Sequence, residues 1–141
     1  MATGVTQNVG ASVWWAPALV TAGTLCMHAL PGHDVDVDSW WEIWHMDKML
    51  HFMAFLIWGL AMSVSLAKQR LFQKGPRFEL VMIAGAAIFG TVLESLQGAC
   101  VPNRSADMAD VAADVAGVAL ALLAFRVIFG CRPGRIATEI D

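Results

Sequence analysis

"DKMLHFMAFLIWGLAMSVSLA" runs from Asp47 to Ala67, and its reading decides the fold. An acid, a base and a histidine open it, and no charged residue follows between Phe52 and Ala67. A run of this kind fits a membrane helix, since a hydrocarbon layer of roughly 30 Å takes about 20 helical residues to cross. The whole composition agrees with that reading. Of the 141 residues, 57% are hydrophobic and 15% charged, and the mean hydropathy is +0.59, too apolar for a soluble domain with a polar surface.

Working outward, three further apolar runs lie at about Val9 to Leu30, about Leu80 to Ala99 and about Val111 to Phe129, with the first quoted run spanning about Leu50 to Ala67. Four spans nearly fill the chain, so residues 1–141 are expected to form one all-α domain, an integral membrane four-helix bundle. No Lys or Arg precedes the first run and no small-residue cleavage site follows it at "HALPGHD", so it is read as a retained helix. The formal net charge of −3 gives no basic surface for nucleic acid, and none is expected as a partner.

Seven of the nine basic residues mark one side: Lys68, Arg70, Lys74 and Arg77 between the second and third runs, and Arg126, Arg132 and Arg135 at or beyond the end of the fourth. Excess Lys and Arg mark the cytoplasmic face, which places both termini in the cytoplasm and Lys48 and Arg104 outside. Trp14 and Trp15, and Trp40, Trp41 and Trp44, flank spans where amphipathic rings favour the headgroup level. Cys26, Cys100 and Cys131 fall in separate places on this topology, so no disulfide or CxxC metal site is expected.

On this topology span two begins, span three ends and span four begins at the same outer face, and the unusual polar residues gather there. Asp47 and His51 are four apart, Glu94 and Gln97 three apart, and Asp107, Asp110 and Asp114 follow at intervals of three and four, with Arg104 before them. Asp47 and Asp107 suit helix N-caps, and Asp110 suits the positive end of a helix dipole. Glu94 and Asp114 lie too deep for either role, and an ionised group at depth costs at least a few kcal/mol unless it faces the bundle interior and finds partners. Arg104 is the expected partner of Glu94, Asp110 and Asp114, and His51 is expected beside Glu94. Ala109, Ala113, Gly117 and Ala121 recur every four residues, a small-residue stripe for close helix packing, and "AGAAIFG" from Ala84 to Gly90 is expected to receive it.

These pieces resemble the VanZ-like membrane proteins: "DKMLHF" opening span two, "ESLQ" from Glu94 to Gln97 closing span three, and "VPNRSADMADVAADVAG" from Val101 to Gly117 leading into span four. The resemblance covers about Asp47 to the end of span four. It implies a small bacterial inner-membrane protein, in a family with one member linked to glycopeptide (teicoplanin) resistance and with no settled biochemical activity. By the match, Asp47, Lys48, His51, Glu94, Gln97, Arg104, Asp110 and Gly117 look like the family's characteristic positions. Asp114 departs from the pattern, which commonly has Asn there, and adds a negative charge at depth.

Three functions are compatible with these residues. Lys48 and Arg104 beside two helix N-termini suit a lipid or cell-envelope headgroup, although Asp47, Glu94, Asp107, Asp110 and Asp114 outnumber them five to two and would repel a bare phosphate. An accessory subunit of a larger membrane complex, for example a bioenergetic assembly, would use the same charges as an internal brace. An enzyme acting on an envelope precursor would use His51 and Glu94 as acid and base, or hold Zn or Mn between His51 and the span-four carboxylates. HExxH, GxSxG, the P-loop and CxxC are all absent, so a non-enzymatic role without an organic cofactor is expected, with membrane lipids and other transmembrane subunits as partners and the metal question left open.

Overall fold

The computed structural model of the protein describes residues 13–29, 46–69, 76–102 and 105–129. These form four helices, α1 (Trp15–Ala29), α2 (Met46–Lys68), α3 (Pro76–Cys100) and α4 (Met108–Phe129), with no strand among the described residues. Three of them, α2, α3 and α4, are long and apolar enough to cross a membrane. At 1.5 Å per residue their 23, 25 and 22 residues measure about 33–38 Å. The 15 residues of α1 measure about 22 Å, and the rest of the expected first run, residues 9–12 and Leu30, lies outside the described residues.

Each long helix begins earlier than its apolar run. Pro76 starts α3 because a proline at the first helical position loses no hydrogen bond and already has the helical φ. Helix α2 starts at Met46, which puts Asp47 inside the first turn rather than at the N-cap position suggested by its place before the apolar run. There its carboxylate faces the positive end of the helix dipole. Asp107 is the N-cap of α4: its Oδ1 accepts the Ala109 N–H at 2.8 Å.

The helices bury polar groups and expose apolar ones. Met53 and Ile57 on α2, Ile88 and Leu96 on α3, and Leu123 and Val127 on α4 all point outward, while His51, Glu94, Gln97, Asp110 and Asp114 are buried. Such a distribution suits lipid as the surrounding solvent, because an ionisable group in a bilayer must turn toward the bundle.

Helices α2 and α4 form the central pair, with α3 packed chiefly against α4 and α1 chiefly against α2. The closest approach is at Gly117, where an added Cβ would run into the Phe52 carbonyl oxygen and stand 2.9 Å from the Leu56 nitrogen. Here the expectation for the small-residue stripe is corrected. Gly117 and Ala121 are buried and Ala113 is half-buried, but Ala109 is exposed, and the receiving surface is the backbone of α2 rather than the "AGAAIFG" patch of α3. The physical reason is the two-turn ladder of charge contacts above Gly117, which ties α4 to α2.

The bundle has two unlike ends. At one, Lys68, Arg77 and Arg126 gather and Arg126 pairs with Glu79. Ser65 donates to the Val13 carbonyl at 2.8 Å and Trp58 to Thr21 Oγ1 at 3.0 Å, so α1 runs antiparallel to α2 and starts at this basic end. The other end carries the polar cluster.

Candidate functional site

The cluster is built in layers down α2, where Lys48, His51 and Phe55 succeed one another at intervals of three and four on one helical face. At the top, Lys48 Nζ donates to Asp107 Oδ2 at 2.6 Å and to Asp110 Oδ1 at 2.9 Å. A turn deeper, His51 Nδ1 meets Asp114 Oδ1 at 3.1 Å, and His51 Nε2 lies 3.7 Å from Glu94 Oε1. Glu94 Oε2 accepts the backbone N–H of Asp107 at 2.9 Å, so α3 holds the first turn of α4. That N–H has no carbonyl partner within the helix, which is why a side chain takes it.

Beneath these residues the interior turns apolar. Phe55, Trp58 and Phe89 pack with ring centroids 5.6–5.9 Å apart, backed by Ala86, Val118 and Leu122. Gly90 makes room for the lowest acid, since a Cβ there would stand 2.5 Å from Asp114 Oδ2.

His28, which the sequence reading did not single out, completes the layer. Its ring packs edge-on against His51 with centroids 4.6 Å apart, and its Nδ1 donates to the Thr24 carbonyl at 2.8 Å. Gln97 Nε2 donates to the His28 carbonyl at 3.3 Å and so satisfies one of the carbonyls left open at the end of α1. The signal was present in the sequence, because a histidine inside an apolar run is costly unless it has partners.

Of the residues proposed from sequence, Lys48, His51, Glu94, Asp107, Asp110 and Asp114 come together through these bonds. Asp47 joins them, with one carboxylate oxygen within 4.8 Å of ligand atoms of His51 and Asp110. Gln97 borders the cluster through α1. Arg104, Trp40, Trp41, Trp44 and Cys131 lie outside the described residues, and Cys26 and Cys100 are free and exposed. The partners expected for Arg104 all have other contacts: Asp110 with Lys48, Asp114 with His51, and Glu94 with the Asp107 N–H. Outside the spanning helices, Asp107 has its carboxyl held below the usual carboxylate value, first by the Lys48 hydrogen bond and then by the Ala109 N–H.

Two features describe what this arrangement can do. Three buried acceptor atoms, His28 Nε2, Glu94 Oε1 and Asp114 Oδ2, have no hydrogen-bond partner among the described residues. Two groups of side chains, His28 with His51 and Glu94, and Asp47 with His51 and Asp110, bring one potential ligand atom per residue within 4.8 Å of each other. Among the described residues the site is rich in acceptors and short of donors.

A membrane protein with a buried histidine–carboxylate cluster at one end of an all-helical bundle is the class these features define. Within that class, a family model described as VanZ/LLP1 matches residues 7–129, and the chain belongs to this family. No curated protein and no solved structure matches it.

Proposed function

We propose that this VanZ-family protein lies in the bacterial inner membrane with both termini cytoplasmic, and that its polar cluster binds the polar headgroup of a lipid or cell-envelope precursor from the outer leaflet. The grouping of Lys68, Arg77 and Arg126 at the opposite end supports the orientation, because basic residues collect on the cytoplasmic side. The observation that carries the binding reading is the set of three buried acceptors that have no hydrogen-bond partner among the described residues. A buried polar atom left unpaired costs about 1–3 kcal/mol, so a cluster with three of them is complementary to something that brings donors.

This chemistry narrows the headgroup. Lys48 is already shared between two carboxylates and is not available for a phosphate. Hydroxyl and amine groups fit the remaining acceptors. The test is to extract the protein with its surrounding lipid in polymer-bounded discs and identify the co-purified molecules by mass spectrometry. One headgroup class should be enriched over bulk membrane with the native chain and lost with Glu94→Gln. Lipid identical to bulk in both samples would overturn the reading.

A second reading, an accessory subunit braced by internal charge pairs, draws on the saturated Lys48. It predicts that the chain leaves the membrane with stoichiometric partner subunits in mild detergent and carries no enriched headgroup.

A further inference from the structure

We propose that His28, His51 and Glu94 form a binding site for one divalent transition metal ion of the zinc type, with a coordination position left for water or the headgroup. The inference rests on reading the cluster as a binding site and names what its acceptors bind.

The first argument is the state of the two imidazoles. A ligating histidine usually donates its other ring N–H to a carboxylate or a carbonyl, which fixes the tautomer and turns the free nitrogen toward the ion. Both histidines have that arrangement. His28 Nδ1 is bonded to the Thr24 carbonyl and His51 Nδ1 to Asp114 Oδ1, so in each ring Nε2 is left to bind. Glu94 is oriented likewise, with Oε2 taken by the Asp107 N–H and Oε1 left without a partner among the described residues.

The second argument is geometry. One ligand atom of each of the three lies within 4.8 Å of the other two. Two ligands on a tetrahedral zinc at about 2.0–2.1 Å are about 3.4 Å apart, and His51 Nε2 and Glu94 Oε1 are 3.7 Å apart. Small side-chain rotations close the rest. A set of two nitrogens and one carboxylate oxygen matches the donors of zinc sites that keep a fourth position for water or substrate.

The third argument is charge. Glu94 and Asp114 are 2% and 0% exposed, and the Lys48 charge is spent on Asp107 and Asp110. Two buried carboxylates facing two imidazoles leave a negative excess that a dication cancels. The alternative group of Asp47, His51 and Asp110 is the weaker candidate, because the Lys48 ammonium already stands on Asp110.

The experiment uses the full chain in detergent, stripped with chelator and titrated with Zn(II) and Co(II) alone. One equivalent per chain should bind, and Co(II) should give the intense visible bands of a four-coordinate site. His28→Gln should abolish the stoichiometric site and its spectrum. Asp114→Asn, at a residue that holds the His51 ring and is not one of the three ligands, should retain the spectrum with affinity reduced by about 10- to 100-fold. Binding below one equivalent by the folded native chain would overturn the metal site, as would an unchanged Co(II) spectrum in His28→Gln. Headgroup enrichment in a native chain that binds no metal would overturn the metal site while leaving the headgroup reading intact, so the two fail separately.

Discussion

At the scale of single residues, Lys48 is the clearest test of the cluster's electrostatics. It answers two carboxylates, of which Asp110 is 3% exposed and has no access to water as a substitute. Lys48→Met should therefore lower stability by about 1–3 kcal/mol, below the 3–5 kcal/mol of a fully buried pair because the ammonium is partly solvated. Adding Asp110→Asn should recover part of the loss, read as melting temperature in one detergent. Asp107 gives a pH dependence. Its carboxyl is held below the ordinary value of 3.8 in the folded protein, so its contribution is present above that pH and disappears as pH falls through the lowered value. Asp107→Asn, which keeps the cap but loses the charge, should flatten that acid limb of the melting curve. Much of this was legible in the sequence: the depth of Glu94 and Asp114 required partners, and His51 stands beside both. What was not legible was the choice of cation. Arg104 is the cation the sequence favours, whereas the Lys48 ammonium takes Asp107 and Asp110, a choice that spacing along one helix does not reveal.

At the scale of elements, the contact between α2 and α4 sets the architecture. In a membrane, helix association depends on close packing and polar contacts rather than on exclusion of water, so the Gly117 position matters more than its size suggests. Gly117→Ala should drive the two backbones apart at Phe52, costing roughly 1–3 kcal/mol as overpacking does. It should also loosen the His51–Asp114 bond one turn above. Thermal melting and hydrogen exchange in the α4 first turn would show both, and a native-like melt would mean that the helices have room to slide. The helices themselves were readable from apolar length, and the small-residue stripe correctly turned Gly117 inward. The partner surface is the α2 backbone at Phe52 and Leu56, which a pattern of side-chain sizes does not display.

At the scale of the whole molecule, sidedness is the first expectation to check. In a background lacking Cys26, Cys100 and Cys131, Ser105→Cys at the polar end should react with an impermeant thiol reagent from outside, and Arg77→Cys at the basic end should react only after permeabilisation. The reverse pattern would invert the protein. The aromatic layer of Phe55, Trp58 and Phe89 has a consequence for the cell that bears it. Polar side chains stand above this layer and the buried Ser63 and Ser65 lie below, with the three packed rings between the two sets. The expected outcome is that the bundle insulates, its charged end meeting one compartment without a path for current to the other. Liposomes containing the purified chain should hold an imposed pH gradient for as long as empty liposomes do, and faster decay with Phe55→Ser would locate the seal.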